Sequence, residues 1–334
     1  MIKIAIIGYG YWGPNLVRNF SVIDNCKLQM VADLREDRLG LIKKTYPAIQ
    51  VTTNVEDAIN HPEIDALVIA TPVFTHFPLA KKALEAGKHV LIEKPMASSV
   101  AEAEELIALS AKKKKLLMVD HTFLYTGAVQ KMKSIIDSRE IGNIHYFDST
   151  RINLGLFQPD INVLWDLAPH DISILNYIIS EKPYSIQATG VSHTNNGLEN
   201  IAYLTVNYNS HMIAHFNCSW SSPVKIRTIL IGGDKKMILF NDMEPTEKVK
   251  IYETGYSVKS DEEKRKVLID YRVGDIFVPK LSPKEALGGM ANDFINSIMH
   301  SSQPVSSAQV GLDVVRILEA SQKSIKNKGK EILL

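Results

Sequence analysis

The chain has 334 residues, of which 45% are hydrophobic and 22% are charged, and this length predicts two domains. Its net charge of +1 gives no reason to expect a nucleic acid or an acidic surface as a partner, and no apolar run is long enough to span a membrane. The two cysteines, Cys26 and Cys218, are too far apart for a CxxC motif or a metal cluster, so we expect no metal site and a reducing, cytoplasmic setting.

The first fifteen residues predict a strand, a glycine-rich turn and a helix, in that order. The strand Ile2–Ile7 ends at Gly8, and a helix is expected over 15–20. In such a turn Gly8 allows a tight bend, Gly10 lets the backbone approach a pyrophosphate, and Gly13 lets helix and strand pack closely. The helix N-terminus attracts the phosphates. The residues expected to bind a dinucleotide here are Gly8, Gly10, Tyr11, Trp12 and Gly13.

A second strand, 28–32, ends at Asp33, twenty residues after Gly13. A carboxylate at this spacing binds the ribose 2′-hydroxyl and repels a 2′-phosphate, so we expect NAD as the cofactor. Arg35 keeps NADP open as a less favoured alternative. An ordinary strand–helix turn with a capping aspartate is the structural alternative to the dinucleotide site.

Alternating helices and strands continue as far as Asp120. Six strands are predicted within residues 1–121, and this alternation is typical of a doubly wound parallel sheet, the Rossmann fold. Ligands bind beyond the carboxyl ends of such strands, which places Thr71, Pro72 and the pair Glu93–Lys94 at a cofactor crevice. A lysine there could stabilise negative charge developing on an alcohol oxygen. A salt bridge to Glu93 is the alternative role.

Past residue 121 the pattern changes to strands with few helices. We expect an α+β domain over 122–334 with a large, mostly antiparallel sheet, and a C-terminal helix over 310–327 that packs on one of the domains. Its chemical centre is the segment 162–171, with a helix expected over 172–180. Asp166 and His170 share a face if the segment is helical, and a carboxylate beside a histidine suits a general base. A helix-terminal histidine with a capping aspartate is the alternative.

Four further residues are candidates for substrate binding, with a structural role open for each. They follow a strand or precede the 166–170 segment: Tyr125, Arg151, Asn153 and Asn162.

Three segments give the chain a resemblance to the Gfo/Idh/MocA oxidoreductases, which are named for glucose–fructose oxidoreductase, inositol dehydrogenase and a rhizopine-catabolism protein. They are the glycine turn 8–13, the segment Ala70–Pro72 with His76, and the segment 86–97, which contains Glu-Lys-Pro. The resemblance covers essentially the whole chain and is looser after residue 185. It implies that Lys94 contacts substrate and cofactor, and that His76 and Glu93 belong to the cofactor site.

The resemblance also implies that Asp166 and His170 match the family's Asp-x-x-x-His catalytic motif. Ser173 stands where an acidic residue is frequent, and Asp171 follows the histidine directly. The implied activity is NAD(P)-dependent oxidation or reduction at a secondary alcohol of a sugar, cyclitol or nucleotide sugar, with a UDP-sugar 3-dehydrogenase as one case. The implied assembly is a homodimer or homotetramer formed through the second-domain sheet. A non-catalytic regulator of the same fold, or a dehydrogenase of a dihydrodiol, is the alternative.

Overall fold

A computed structural model describes residues 1–155, 157–258 and 269–334 of the chain. The described residues form two compact units. The first contains Met1–Tyr125 and Lys284–Arg316, and the second contains Thr126–Pro283 and Ile317–Leu334. The domain division expected at residue 121 stays a prediction.

The first unit is built on a six-stranded parallel sheet, which confirms the predicted doubly wound fold. Its order is β3-β2-β1-β4-β5-β6. The strands are nearly continuous apolar runs, as expected when helices cover both faces. The strands are β1 (Ile2–Ile7), β2 (Cys26–Ala32), β3 (Gln50–Thr52), β4 (Ala66–Ile69), β5 (His89–Glu93) and β6 (Leu117–Asp120). The helices that alternate with them are α1 (Gly13–Phe20), α2 (Glu36–Thr45), α3 (Val55–Ile59), α4 (Val73–Glu85) and α5 (Val100–Lys113), and a 3₁₀ helix spans Thr122–Tyr125.

The second unit is built on a nine-stranded, mostly antiparallel sheet, which confirms the predicted α+β class. Its order is β16-β13-β12-β11-β7-β10-β9-β8-β17, and β7 with β10 is its parallel pair. Helices α6 (Gly127–Asp137) and α7 (Val163–Ile178) belong to this unit, as does the part of the C-terminal helix from Ile317 onward. The strands are β7 (Ile144–Leu154), β8 (Pro183–Val191), β9 (Ile201–Tyr208), β10 (Ile213–Ser219), β11 (Ser221–Gly233), β12 (Met237–Asn241), β13 (Val249–Tyr252), β14 (Gly255–Val258), β15 (Ile269–Arg272), β16 (Ile276–Phe277) and β17 (Ile332–Leu333). Strands β14 and β15 form a separate two-stranded sheet.

The two faces of the nine-stranded sheet differ. Helix α7 packs on β7, β9 and β10, where alternate side chains are buried. The alternation places the next residues on the opposite face, where Tyr203, Ile213 and Leu230 are exposed apolar side chains. This face of the sheet is therefore open along these three side chains.

Two helices near the C-terminus complete the fold. The first, α8 (Ala286–His300), belongs to the first unit and packs against α1, with Phe20 and Phe294 meeting edge to face. It was not predicted, because Gly288 and Gly289 disfavour a helix. The second, α9 (Ala308–Lys326), was predicted. Among the described residues, no helix is long and apolar enough to cross a membrane.

Candidate active site

The glycine-rich turn after β1 is shaped by close backbone contacts at two of its glycines. Gly8 has φ 101°, and a Cβ there would lie 2.3 Å from the Ala70 carbonyl oxygen. A Cβ on Gly13 would lie 2.7 Å from the carbonyl oxygen of Gly8. Both positions therefore require glycine for the fold itself. A Cβ on Gly10 would meet nothing within 4 Å, so this part of the turn faces open space.

The beginning of α1 suits an anion. Trp12 is the N-cap residue, its side chain makes no capping hydrogen bond, and the first turn has no acidic residue. Pro14 has no N–H, and the N–H groups of Asn15 and Leu16 donate to the Trp12 carbonyl oxygen at 3.0 and 3.3 Å, so in the first turn the Gly13 N–H is the donor left for a ligand. Tyr11 and Trp12 project from the turn with their rings stacked at 6.2 Å, and Tyr11 is 90% exposed. The open backbone at Gly10 and the uncapped helix fit the phosphates of a dinucleotide.

Asp33, at the end of β2, holds the same turn in place. Its Oδ2 accepts a hydrogen bond from the Tyr9 backbone N–H at 2.6 Å, and its Oδ1 accepts one from the Arg35 N–H at 2.9 Å. A carboxylate has about four acceptor positions, so these bonds leave capacity for a ribose hydroxyl. The predicted ribose ligand therefore also fixes the turn.

The segment after β4 is tied to the segment after β5 by His76. Its side chain is buried, with Nε2 lying 2.8 Å from the Thr71 carbonyl oxygen and Nδ1 lying 2.9 Å from that of Pro95. Pro72 is the N-cap residue of α4. The histidine therefore fixes the spacing between two loops at the carboxyl edge of the sheet.

Lys94 directly follows β5 at this edge, and its peptide bond to Pro95 is cis. The lysine is partly buried, while Glu93 before it is buried and accepts a hydrogen bond from the Lys94 backbone N–H at 3.2 Å. Burial, and then the charge of Asp120, hold the pKa of Glu93 well above its usual value. Burial likewise raises the pKa of Asp120, the last residue of β6.

His121 lies beside this group and was given no role in the sequence analysis. Burial and the positive charge of Lys94 lower its pKa to about 3. Asp120 and His121 could have been found from the sequence, because they end the strand that neighbours β5 in a doubly wound sheet.

Asp166 and His170 both lie on α7, in the second unit. The helix begins nine residues earlier than predicted, and Pro169 lies in its interior. Asn162 explains the early start, since its Oδ1 caps the helix by accepting from the Trp165 backbone N–H at 3.1 Å. The segment is therefore helical, as the shared face of Asp166 and His170 requires, and both side chains are partly exposed.

The side-chain nitrogen of Asn162 also makes hydrogen bonds. Its Nδ2 donates to Glu199 at 2.8 Å and to Gln322 at 2.6 Å. Asn162 thus anchors the beginning of α7, which is a positioning role for the residues that follow.

Trp220 supports Asp166 and was missed in the sequence. Its indole Nε1 donates to Asp166 Oδ2 at 3.0 Å, and its side chain is buried. The tryptophan follows β10, which runs parallel to β7. A tryptophan at a strand end is a weak signal alone, and only the sheet order reveals its partner.

Arg151 and Asp171 form a buried ion pair next to His170. Arg151 donates to both oxygens of Asp171, at 2.8 and 2.6 Å, and Ser149 donates to Oδ2 at 2.8 Å. Although burial acts to lower it, the pKa of Arg151 is raised by Asp171. The pair fastens β7 to α7 and so fixes the backbone beside His170, whose carbonyl oxygen also accepts from Ser173 at 2.7 Å.

Asn153 and Tyr125 are the remaining candidates for substrate binding. Asn153 lies near the end of β7, where its Nδ2 would come within 2.7 Å of a Cβ at Gly155. The hydroxyl of Tyr125 donates to Asp293 at 2.7 Å and accepts from the Ser306 N–H at 3.1 Å. Tyr125 thereby ties the 3₁₀ helix to α8.

Within the described residues, no group of three or more His, Cys, Asp or Glu side chains could hold a metal ion.

Family profiles match most of the chain. The oxidoreductase family described as GFO/IDH/MocA with an NAD-binding Rossmann fold matches residues 2–121, and the GFO/IDH/MocA C-terminal domain matches residues 129–239. The chain belongs to this family. The resemblance expected from the glycine turn and Glu-Lys-Pro is therefore confirmed.

Three curated relatives illustrate the range of the family. The uncharacterized oxidoreductase YdgJ of Escherichia coli (strain K12) is 32% identical over 181 residues, 51% of each chain. The myo-inositol 2-dehydrogenase of Thermotoga maritima is 25% identical over 57% of this chain and 58% of its own length. The UDP-N-acetylglucosamine 3-dehydrogenase of Acidithiobacillus ferrooxidans is 28% identical over 57% of this chain and 58% of its own length.

The match to these relatives' sequences is partial, whereas the fold matches throughout. The chain spans between 51% and 58% of the length of the three relatives. A solved structure of the Acidithiobacillus ferrooxidans enzyme, GnnA, superimposes with a TM-score of 0.81, covering 98% of each chain at 22% identity. At that identity the superposition shows the shared fold alone.

Proposed function

We propose that the protein is an NAD-dependent dehydrogenase that acts on a secondary alcohol of a sugar, cyclitol or nucleotide sugar. The observation that carries this proposal is the position of Lys94, at the carboxyl edge of a sheet whose β1 turn fits a dinucleotide. A charge at such a strand end must be paired or face polar surroundings, and a substrate oxygen is one such partner. Family membership supports the nicotinamide chemistry.

Three side chains carry the proposed reaction. His170 takes the proton of the substrate hydroxyl, and returns it in the reverse direction. Asp166, held by Trp220, orients the imidazole, and Lys94 stabilises the charge that develops on the oxygen. When bound, the nicotinamide supplies the acceptor or donor of the hydride. The assignment of Lys94, Asp166 and His170 to one reaction rests on their match to the family's motifs.

NAD is proposed over NADP because of Asp33. Its carboxylate is fixed at the end of β2 by Tyr9 and can accept from a ribose 2′-hydroxyl, while it would repel a 2′-phosphate. Arg35 already pairs with that carboxylate, since its Nε lies 3.4 Å from Asp33 Oδ1. We therefore expect Gly8, Gly10, Gly13 and Asp33 to set the cofactor site, with Tyr11 and Trp12 flanking it.

The substrate class follows from two relatives and remains a proposal. One relative is named for myo-inositol and one for UDP-N-acetylglucosamine, which share a ring bearing secondary alcohols. Segments 10–15 and 165–171 resemble members that act on nucleotide sugars, which favours that class. Each of the four further candidates is already accounted for by its place in the fold, so we assign substrate selection to none of them. These candidates are Tyr125, Arg151, Asn153 and Asn162.

A panel of substrates tests the proposal. Purified protein is incubated with NAD or NADP and with UDP-sugars, dTDP-sugars, free inositols and a dihydrodiol, and NAD(P)H absorbance is followed. Turnover of a UDP-sugar, a dTDP-sugar or an inositol with NAD is the expected result. Binding of NAD without turnover of any substrate would favour the non-catalytic regulator, and turnover of the dihydrodiol alone would overturn the substrate class.

A subunit interface and a cellular setting complete the proposal. The exposed apolar face around Tyr203, Ile213 and Leu230 supports assembly into a homodimer or homotetramer through the nine-stranded sheet. Cys26 and Cys218 are unpaired, which accords with a reducing, cytoplasmic setting.

A further inference from the structure

Two buried carboxyl groups lie side by side next to Lys94 and take no part in the proposed reaction. Glu93 ends β5 and Asp120 ends β6, and the two residues are direct partners in the parallel pairing of these strands. Glu93 is 8% exposed and Asp120 is 2% exposed. Two ionised carboxylates in such a place would repel each other without water to screen them.

The hydrogen bonds around the pair account for half of its oxygens. Glu93 Oε2 accepts from the Lys94 backbone N–H, and Asp120 Oδ1 accepts from the Thr122 hydroxyl. Glu93 Oε1 and Asp120 Oδ2 are buried, and no donor group among the described residues reaches either of them. A buried acceptor with no donor is unfavourable, because it has lost its hydrogen bonds to water.

The two side chains lie at paired positions of neighbouring strands, and each leaves one buried oxygen without a donor. Ionised carboxylates only accept hydrogen bonds, so the two groups can bond to each other when one of them carries a proton. One proton gives both remaining oxygens a partner and removes one of the two buried charges. Burial, which raises the pKa of both groups, acts in the same direction.

The charges around the pair then balance. Lys94 interacts electrostatically with both carboxyl groups and carries one positive charge. His121 is neutral at physiological pH, because burial and Lys94 lower its pKa to about 3. Tyr125 also interacts electrostatically with Asp120, and its hydroxyl donates to Asp293.

We propose that Glu93 and Asp120 share one proton in the working protein, and that the resulting single negative charge positions the Lys94 ammonium for its substrate. This role for the pair rests on the proposed function of Lys94, whereas the shared proton does not. Glu93 and Asp120 are positioning residues, since they act through the lysine. A singly charged pair attracts the ammonium without binding it as tightly as two full charges would, and leaves it able to donate to an alcohol oxygen.

Infrared spectroscopy of the full-length protein near neutral pH tests the shared proton. The carbonyl stretch of a protonated carboxylic acid is expected in the wild type, with a shift in D₂O, and it is expected to disappear in Glu93→Gln. Glu104→Gln is the matched control, because Glu104 is an exposed partner of Arg316, and its substitution should leave the band unchanged. A wild type without the band, or a band that survives in Glu93→Gln, would overturn the proposal.

Kinetics with the best substrate of the panel test the positioning role. Glu93→Gln and Asp120→Asn can each keep one negative charge and a hydrogen-bonded pair, whereas the double variant keeps no charge. We expect the double variant to lower kcat roughly 10- to 100-fold below either single variant. Equal kcat in the single and double variants would overturn this role. Full activity of Lys94→Ala would instead refute the proposed function and leave the infrared result standing.

Discussion

Gly10→Ala should separate cofactor binding from folding at the glycine-rich turn. Gly8 and Gly13 cannot be tested in this way, because a Cβ on either would collide with backbone at 2.3 or 2.7 Å. A Cβ on Gly10 would meet no atom within 4 Å, and its backbone lies outside the left-handed region. The added methyl group would therefore project into the space assigned to the pyrophosphate, without disturbing the fold.

The size of both effects can be worked out from this geometry. Replacing glycine by alanine at an unstrained position stabilises a protein by about 0.4–1 kcal/mol, because the unfolded chain has fewer conformations to lose. Displacing the pyrophosphate enough to lose one charge-assisted hydrogen bond costs about 1.5–3 kcal/mol of binding free energy. That cost corresponds to an increase of about 10- to 150-fold in the dissociation constant of NAD.

Calorimetric titration with NAD and thermal unfolding measure the two effects on one sample. Gly40→Ala is the matched control, since Gly40 lies in α2 and its Cβ would also meet nothing within 4 Å. The control should gain stability and keep the affinity of wild type. An unchanged affinity in Gly10→Ala would refute the assignment of this turn to the phosphates.

Three further predictions concern the ion pair, the cofactor and the open sheet face. Arg151→Ala should lower the free energy of unfolding by about 3–5 kcal/mol in denaturant titration, because Asp171 would stay buried without its cation. Asp33→Asn should lower the ratio of kcat/KM for NAD over NADP at least about 10-fold, because the amide still accepts from Tyr9 but no longer repels a 2′-phosphate. Leu230→Arg, which places a charge on the exposed face of β11, should shift the protein to monomers in light scattering.

Each of these predictions has a control and a contrary result. Arg316→Ala breaks an exposed ion pair with Glu104 and should cost no more than about 1 kcal/mol, so equal losses would contradict the buried pair's role. A cofactor ratio that is unchanged in Asp33→Asn would remove the argument for NAD. Val22→Arg adds the same charge at an exposed site outside the sheet, and dissociation in both variants, or in neither, would contradict the interface.

Prediction from the sequence succeeded where the interactions that determine the structure are local. The β1 turn, Asp33 and the strand that ends before Lys94 could be placed because glycine, capping and apolar patterns act over a few residues. The same patterns predicted all six strands of the first unit. They failed at α7 because a proline usually ends a helix, whereas Pro169 lies buried inside one that Asn162 caps.

Long-range partners could not be predicted from one sequence. Arg151 and Asn162 had the residue types of substrate ligands, and only the fold shows that they bond Asp171 and Glu199. The contact of Trp220 with Asp166 depends on the order of strands in the second sheet. Such contacts join residues more than fifteen positions apart, so no local pattern contains them.

Turnover by Lys94→Ala is the most direct test of the central claim, that a lysine at the end of β5 serves NAD-dependent oxidation of a ring alcohol. We expect kcat for the best substrate of the panel to fall about 100- to 1,000-fold, as for the loss of a group that stabilises developing charge. The variant should still bind NAD in calorimetric titration. Turnover at the wild-type rate by Lys94→Ala would contradict the account.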